Sequence, residues 1–433
     1  MCFPFKGVAL RIGIHVYGTR DDVEPFIGLA KRLQLAGYSV QLAGPRRFKT
    51  LASGHGVPYE PLPDHLLALC ETHHGHRVLV MGGWAHRRLE RCIHTLADDL
   101  LVSEWRAAHI FRPHLIVYHP KSIASPHMVE RIGCPSILAS PLPVHAPTSA
   151  FPTPVVPWRT LGPLNRLSHS LVEQHVERLF RKPILKWRRK TLGLSERARS
   201  RYAPDRRLYA YSRHLVPVPG DWGRHIHVTG AWFLEEPRSE LSAELEAFLS
   251  TGPAPVYVAL ADMPEAVVHD FAQTAVKAAR MLGKRVLFAT GGRQVDGLVS
   301  SSDVLADADG RRNDILTRAD MSFHHGQAAT VAAALRAGRP SAIFPASSEG
   351  RFWAGRVHDL GAGPPPGNVK RLSVEGIAST MRAMDTSFVR EKVRKLRSQM
   401  RSEGGLDDAV RVIDRLMRVE RRPENDGNSA HGN

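Results

Sequence analysis

The residues best suited to chemistry form a small-residue turn in the C-terminal third of the chain. Residues 324–330 read HHGQAAT, follow a short apolar stretch and precede an Ala/Leu-rich helix closed by Gly338 and Pro340. Such a turn offers backbone N–H groups and the positive end of a helix dipole to an anion. The side chain of His325 can add a hydrogen bond to a phosphate oxygen. The turn lacks the spacing of a P-loop or a GxGxxG fingerprint, so ordinary helix capping stays open as an alternative.

A carboxylate near the N-terminus is the second candidate. An apolar stretch, residues 10–16, predicts a strand, and the polar residues 17–24 predict a turn before a helix that has Pro25 in its first turn. Ligands of parallel α/β sheets bind beyond the carboxyl ends of the strands, which is where this turn would bring Asp22. A carboxylate there can act as a general base towards a hydroxyl group. The alternative is that Asp22 caps the helix.

The elements around both candidates alternate between strands and helices. Strands are predicted near residues 10–16, 38–43, 113–118, 135–139, 208–216 and 225–232, and again near 256–260, 285–290, 321–324 and 341–344. Helical patterns lie between them, which is typical of parallel α/β sheets. Because 433 residues exceed one compact core, the sequence predicts two such domains.

Several segments resemble the family 1 glycosyltransferases, most closely the sterol glucosyltransferase-like branch. They are the turn block 321–345, SEGRFWA at 348–354, RVHDLGAGP at 356–364, YGTRDDVEP at 17–25, HPKSIASPH at 119–127, PLPVHAPTSAFPTP at 141–154 and DWGRHIHVTGAWFLEEP at 221–237. The resemblance implies the GT-B fold, in which two Rossmann-like parallel-sheet domains face a central cleft. It implies an acceptor-binding domain over 8–235, a nucleotide-sugar-binding domain over 251–385, C-terminal helices over 386–420 that cross back to the first domain, and a disordered tail over 421–433.

The resemblance also implies roles for individual residues. Asp22 would be the general base, and Glu349 would hold the donor sugar. The remaining donor-binding residues would be His325, Gly326, Gln327, Ala328, Ala329, Thr330, Gly350, Asp262 and Ile315. The acceptor-binding residues would be Thr19, Arg20, His119, Pro143 and Phe151.

The donor segment departs from the family pattern at several positions. Asp262 stands where relatives have small residues near the diphosphate, and Ile315 matches the place of a base-stacking tryptophan. Gln327 and Ala329 replace two glycines of the family turn, and Gly350 replaces a glutamine. Two hypotheses therefore stand: an inverting glycosyltransferase acting on a lipophilic hydroxylated acceptor, or a GT-B scaffold without donor binding that serves as a partner in a biosynthetic pathway. Another reaction on a nucleotide-sugar, such as epimerisation, has no residue in its favour.

The net charge and the cysteine and histidine content limit the classes of partner that we expect for this protein. The net charge is +17, yet Lys and Arg are spread along the chain without a nucleic-acid motif, so anionic membrane lipid is the expected partner for this charge. The four cysteines have no CxxC spacing, which favours a reducing cytoplasm, and the cluster His73, His74 and His76 fits a solvated loop better than a metal site. We expect a cytoplasmic enzyme, peripheral at the inner membrane face, that needs no metal or cofactor and takes UDP- or dTDP-hexose as co-substrate. The sequence does not determine an oligomeric state.

Overall fold

The structure is a computed structural model and describes residues 9–71, 87–195, 203–235, 241–260, 263, 265–290, 295, 298–307 and 311–419. The chain packs as two compact units. The first comprises Met1–Ala139, Leu179–Leu208 and Gly404–Asn433, and the second comprises Ser140–Arg178 and Tyr209–Glu403. The domain boundaries implied by the resemblance, near residues 235, 251 and 385, remain predictions.

The first sheet has seven strands in the order β3-β2-β1-β4-β5-β6-β7. They are β1 Arg11–His15, β2 Ser39–Pro45, β3 Tyr59–Leu62, β4 Leu115–Tyr118, β5 Ser136–Ser140, β6 Arg206–Tyr209 and β7 Ile226–Val228. The pairs β1–β2, β2–β3, β1–β4 and β4–β5 are parallel. The helices in this part of the chain are α1 Arg20–Leu35, α2 Lys49–Gly54, α3 His65–Glu71, α4 Arg87–Phe111, α5 Ser125–Ile132 and α6 Asn165–Trp187.

The second sheet has five strands in the order β10-β9-β8-β11-β12, and all its pairs are parallel. The strands are β8 Val256–Ala259, β9 Val286–Ala289, β10 Val304–Asp307, β11 Met321–His324 and β12 Ser341–Ile343. The helices that follow the first sheet are α7 Ala243–Ser250, α8 Glu265–Met281, α9 Arg312–Arg318, α10 Ala328–Ala337, α11 Ser348–Asp359, α12 Val374–Met384, α13 Ser387–Arg401 and α14 Leu406–Val419.

The two sheets share one topology. Strands β1 to β5 and strands β8 to β12 both follow the order 3-2-1-4-5 when each set is counted from its own first strand. In this order the second and third strands are added on one side of the first strand, and the fourth and fifth strands on its other side. Ligands of open α/β sheets bind at this switch point, between the first and fourth strands and beyond their carboxyl ends. The site residues are therefore sought after β1 and β4 in the first sheet, and after β8 and β11 in the second.

Burial is complete in two of the central strands, including Ser322 and His324 of β11. Every residue of β4 and β11 is buried, as expected for strands covered by helices on both faces. The C-terminal helix α14 packs on α1 within the first unit, where Tyr38 donates a hydrogen bond to Asp414 and Arg32 pairs with Asp407. No helix in the described part of the chain is long and apolar enough to cross a membrane.

The structure corrects three predicted elements. Helix α1 begins at Arg20 instead of at Pro25, because Thr19 and Asp22 form a capping box that starts the helix five residues earlier. Strand β10 was not predicted, since only Val304 and Leu305 in it are large and apolar. The strand expected over 208–216 is the shorter Arg206–Tyr209.

Candidate functional site

Asp22 lies at the first switch point and is fully engaged by its neighbours. Its Oδ2 accepts hydrogen bonds from the Thr19 backbone N–H at 2.9 Å and from Lys121 Nζ at 2.6 Å. Its Oδ1 lies 3.4 Å from His119 Nε2. Thr19 and Asp22 follow β1, whereas His119 and Lys121 follow β4, so the switch point brings the two segments together. The capping role proposed from the sequence is therefore real, and it does not exclude the role of a base.

The electrostatic surroundings of Asp22 keep its carboxylate charged. Burial by itself would raise the pKa of Asp22, but the charge of Lys121, the nearby His119 and the hydrogen bonds of Lys121 and Thr19 bring the pKa below its ordinary value. Gly18 makes this packing feasible. Its φ is +148°, and a Cβ at this position would lie 2.1 Å from Asp22 Oδ2.

His119 is oriented from both sides of its ring. The Lys121 backbone N–H donates to His119 Nδ1 at 3.3 Å, which leaves the ring proton on Nε2, facing the Asp22 carboxylate. The segment after β4 is also held by Ser122, whose hydroxyl donates a hydrogen bond to the carboxylate of the fully buried Glu104. Asp22, His119 and Lys121 thus form a preorganised cluster. Lys121 was missed as a site residue because a lone lysine after a strand carries no pattern.

The other residues expected to bind the acceptor divide between the two units. The Thr19 hydroxyl lies 3.3 Å from Asp22 Oδ2, and Arg20 lies 3.7 Å from Glu24 in the next turn of α1. Pro143 and Phe151 lie in the second unit, in the irregular segment 141–154. The ring centroid of Phe151 lies 6.4 Å from that of Trp222 and 6.1 Å from that of Phe352. Neither of these aromatic partners was predicted from the sequence.

The turn after β11 lies at the second switch point, and its role as an anion site stays a prediction. His325 Nδ1 lies 3.3 Å from the carbonyl oxygen of Ala259 at the end of β8, so the histidine ties the two switch-point strands together. Because a carbonyl oxygen only accepts, Nδ1 carries the ring proton of neutral His325. Gly326 has φ of +93°, which favours glycine, and a Cβ there would lie 2.7 Å from Ile343.

Helix α10 begins directly after this turn, and its first N–H group already has an internal partner. The Ala328 N–H donates to Glu349 Oε1 at 3.2 Å. Gln327 is the N-cap residue, and its side chain makes no capping bond. A negative group is thus stabilised at the positive end of α10, where a phosphate would also bind. Glu349 is placed as a helix cap, and its predicted contact with a sugar remains a prediction.

Gly350 is a packing requirement of the turn. A Cβ at this position would lie 2.5 Å from the His325 carbonyl oxygen and 3.2 Å from Pro345. The Gly350 N–H also donates to the Ser347 hydroxyl, which caps α11. A glutamine, the family residue here, therefore does not fit without movement of the backbone.

Arg312 is a further residue at this site that sequence reasoning missed. It stands at the start of α9, and its Nη1 donates to the Thr330 hydroxyl at 3.0 Å. Next to the turn, His324 is fully buried; burial, with the charges of His325 and Arg312, lowers its pKa to about 3, so it is neutral. Arg312 therefore places a fixed positive charge beside the turn.

The remaining predicted donor residues have other surroundings. Ala329, on the first turn of α10, is half-buried. Ile315 is fully buried in an apolar cluster with Leu245, Phe248 and Tyr257, so its side chain serves packing in this structure. Asp262 lies outside the described residues. The described residues contain no group of three or more metal-ligating side chains, and Cys92 and Cys134 are free thiols.

Comparison with known proteins first identifies the class of fold. Residues 12–148 match the glycosyltransferase family 28 N-terminal domain. Among solved structures, the glycotransferase of kitacinnamycin superimposes with a TM-score of 0.70 at 18% identity, covering 94% of this chain and 99% of that one. A Streptomyces sp. SF2575 glycosyltransferase complexed with thymidine diphosphate superimposes with a TM-score of 0.62 at 18% identity, covering 94% and 99%. The fold is GT-B, as predicted.

The particular relatives are sterol glucosyltransferases. A sterol 3-beta-glucosyltransferase of Arabidopsis thaliana is 29% identical over 95% of this chain and 69% of its own length. The Neurospora crassa sterol 3-beta-glucosyltransferase is 27% identical over 93% of this chain, which spans only 27% of that protein. The predicted resemblance is confirmed, and these findings favour a glycosyltransferase over a scaffold without activity.

Proposed function

We propose that this protein is an inverting glycosyltransferase that moves a hexose from a nucleotide-sugar to a hydroxyl group of a lipophilic, sterol-like acceptor. One observation carries the proposal: the switch points of two sheets of identical strand order hold complementary chemistry. The first holds an ionised carboxylate, and the second holds a helix N-terminus beside a fixed cation. These are the groups that proton removal and departure of a diphosphate require.

In the proposed reaction, Asp22 accepts the proton of the acceptor hydroxyl as that oxygen attacks the anomeric carbon. A C–O bond forms on one face of the sugar, the C–O bond to the diphosphate breaks on the other, and the nucleoside diphosphate leaves with the bonding electron pair. His119 and Lys121 keep the carboxylate oriented and ionised. The lowered pKa makes Asp22 a weak base, which suits a step in which proton transfer accompanies bond formation.

The leaving diphosphate is assigned to the turn 325–330. Backbone N–H groups at the start of α10, the dipole of that helix, and the Arg312 guanidinium would stabilise its charge. Glu349 accepts the Ala328 N–H. In the proposed reaction it releases this bond when phosphate binds and then becomes available to the sugar hydroxyls. Departure of Glu349 would be part of donor binding.

The donor and the acceptor are proposed from the proteins that this chain resembles. The solved neighbour that holds thymidine diphosphate and the sterol glucosyltransferase relatives support dTDP- or UDP-hexose as the donor and a sterol-like lipid as the acceptor. Metal independence is proposed because the described residues at the turn offer a cation from Arg312 itself. We assign the protein to the cytoplasm.

The second candidate function, a GT-B scaffold without donor binding, is favoured by one observation. Glu349 already satisfies the first N–H of α10, and the tight packing of Gly350 leaves no room for the family's glutamine. Such a protein would keep its fold and bind a pathway partner without using a donor.

Calorimetric titration of the full chain with UDP, dTDP and GDP, without metal, separates the two functions. Micromolar binding of one nucleotide, followed by transfer from the corresponding nucleotide-sugar, supports the enzyme. Absence of binding by a folded chain overturns it in favour of the scaffold.

A further inference from the structure

At the start of helix α6, apolar side chains are exposed to solvent. Leu164, Leu167 and Leu171 follow the spacing i, i+3 and i+7, share one face of the helix, and are 56%, 50% and 56% exposed. Trp158, just before the helix, is 60% exposed. Polar side chains of the same stretch face the protein instead, since Asn165, Ser168 and His169 are buried. This arrangement reverses the usual pattern for a helix on a soluble domain.

The inverted arrangement is fixed by specific hydrogen bonds. The Asn165 side chain accepts from the Leu161 N–H at 2.8 Å and donates to the Ser149 carbonyl at 2.9 Å. The Ser168 hydroxyl accepts from the Thr153 N–H at 2.9 Å. The buried polar face thus anchors α6 to the segment 149–153. Because these bonds hold the helix rotation, the leucines cannot turn inward.

Exposed apolar side chains are concentrated in this stretch of the chain. Trp158, Leu164, Leu167, Leu171 and Val176 account for five of the twelve large hydrophobic side chains that are exposed in the described part of the chain, and we call them the apolar ridge. Such a concentration of exposed apolar side chains on a soluble domain marks an interaction site. All five residues belong to the second unit, as does the segment 149–153 that contains Phe151.

The charged residues near the apolar ridge indicate which kind of partner this surface binds. Arg166 lies between Leu164 and Leu167 with a side chain that is 66% exposed and lies 3.9 Å from the Asp221 carboxylate, and Arg178 at the end of the ridge is also exposed. The sequence from 178 to 190, RLFRKPILKWRRK, contains seven basic residues and no acidic one; six of the seven are exposed, and Arg188 is buried in a pair with Glu130. The helix of the ridge also carries Glu173 and Glu177, so the excess of positive charge lies at its C-terminal end, and the whole chain carries a net charge of +17. Leucines and a tryptophan flanked by arginine and lysine fit the boundary between the headgroups and acyl chains of an anionic membrane.

We propose that the apolar ridge is a docking surface for an anionic lipid bilayer, with Trp158 and the three leucines inserting between the headgroups and the neighbouring basic residues binding lipid phosphates. The inference goes beyond the proposed reaction, because a chain without donor affinity would still dock. It also assigns the predicted membrane contact to a defined surface. The buried face of α6 holds the segment of Phe151, so docking would bring this predicted acceptor residue close to the bilayer.

The test is flotation of the full chain with vesicles of phosphatidylcholine, with or without phosphatidylglycerol. We expect binding to the anionic vesicles that weakens as salt is raised, because salt screens the basic residues. A variant with Leu164→Ser, Leu167→Ser and Leu171→Ser should bind at least about tenfold more weakly, since each leucine loses the transfer energy of an apolar side chain. Quenching of tryptophan fluorescence by brominated lipid should decrease in Trp158→Phe.

A matched variant controls for loss of exposed apolar side chains elsewhere. Leu35→Ser, Val102→Ser and Ile110→Ser change three side chains that are at least as exposed but lie in the first unit, and this variant should bind vesicles as the native chain does. Native protein that ignores anionic vesicles, or equal binding by both triple variants, overturns the proposal. Native protein that ignores vesicles but dissociates from a dimer when the leucines are changed would show instead that the ridge joins two copies.

Discussion

The two switch points place an internal carboxylate at the start of a helix in two different ways. At α1 the carboxylate of Asp22 comes from the third residue of the same helix, and Lys121 and His119 compensate its charge. At α10 the carboxylate of Glu349 comes from the following helix, and it bonds the Ala328 N–H beside a turn that has Arg312 on its other side. The topology is the same, but the source of the negative group differs.

Because of this difference, the carboxylate of Asp22 is fixed in place, whereas a ligand can displace the carboxylate of Glu349. Asp22 has partners on both oxygens and sits within its own helix, so it cannot leave without breaking the capping box. Glu349 reaches α10 from a separate helix, α11, and accepts the Ala328 N–H at 3.2 Å. A fixed carboxylate suits a base, and a carboxylate that comes from another helix suits a group that an anion displaces.

The largest expected effect tests the fixed group. Asp22→Asn should lower the turnover number about 10²–10⁴-fold, because an amide cannot accept the hydroxyl proton. The amide oxygen can still accept from the Thr19 N–H, but the amide N–H₂ would then face the Nε2–H of His119, so the protein should lose about 1–3 kcal/mol of stability. Turnover is therefore compared at a temperature at which both proteins are folded, and nucleotide affinity should stay close to the native value. Turnover measured with an accepted sterol-like substrate checks this. A change of only a few-fold would reduce Asp22 to a helix cap.

The packing of the anion turn is tested next, through two glycines of the same helix. Gly350→Ala should destabilise the protein by about 1–3 kcal/mol, because the new Cβ meets the His325 carbonyl at 2.5 Å. Gly355→Ala is the matched control, since its Cβ would contact only Arg159 Nε at 3.6 Å. That variant should gain about 0.5–1 kcal/mol from its higher helix propensity.

Chemical unfolding and nucleotide calorimetry of both glycine variants check this prediction. Nucleotide affinity should fall in Gly350→Ala and stay unchanged in Gly355→Ala. If Gly350→Gln were instead stable and bound nucleotide more tightly, the turn would adopt another backbone arrangement and the family residue would fit.

The replaceable group is tested by Glu349→Gln. Removal of the negative charge at the start of α10 should strengthen binding of free dTDP or UDP by about tenfold, because like charges at one site repel. Binding of the nucleotide-sugar should gain less, since Glu349 would then no longer bind the sugar hydroxyls as a carboxylate. Calorimetry with both ligands measures the difference, with the exposed Glu375→Gln as control. Unchanged affinity for the free nucleotide would mean that Glu349 does not compete with phosphate.

The smallest expected effect concerns Lys121, whose positive charge compensates the negative charge of Asp22. Burial raises the pKa of Asp22 and Lys121 lowers it, so Lys121→Met should raise the pKa. Because the base must be ionised, the acidic limb of the pH dependence of turnover should move to higher pH, by about one unit for a lost charge pair. Lys49→Met, at an exposed position on α2, should leave that limb in place. An unmoved limb in Lys121→Met would assign it to another group.

Much of the fold was predictable because local patterns determine it. The buried strands β1, β4, β8 and β11 appear as short apolar runs, and Gly338 ends α10 in the left-handed conformation that glycine favours. The start of α1 was predicted wrongly because Pro25 was taken as a start signal, whereas the capping box of Thr19 and Asp22 decides the boundary. Strand β10 escaped prediction because pairing with β9 stabilises it more than its own composition does.

The sequence by itself determined the types and order of the site residues: a carboxylate after the first strand, and a small-residue turn before an Ala-rich helix. Only the tertiary structure decided which groups meet. Lys121 reaches Asp22 across 99 positions, Glu349 bonds the Ala328 N–H 21 positions away, and Arg312 bonds Thr330 across 18 positions. The physical reason is that strand order brings the ends of separate strands together, and hydrogen bonds between such distant residues leave no periodicity in the sequence.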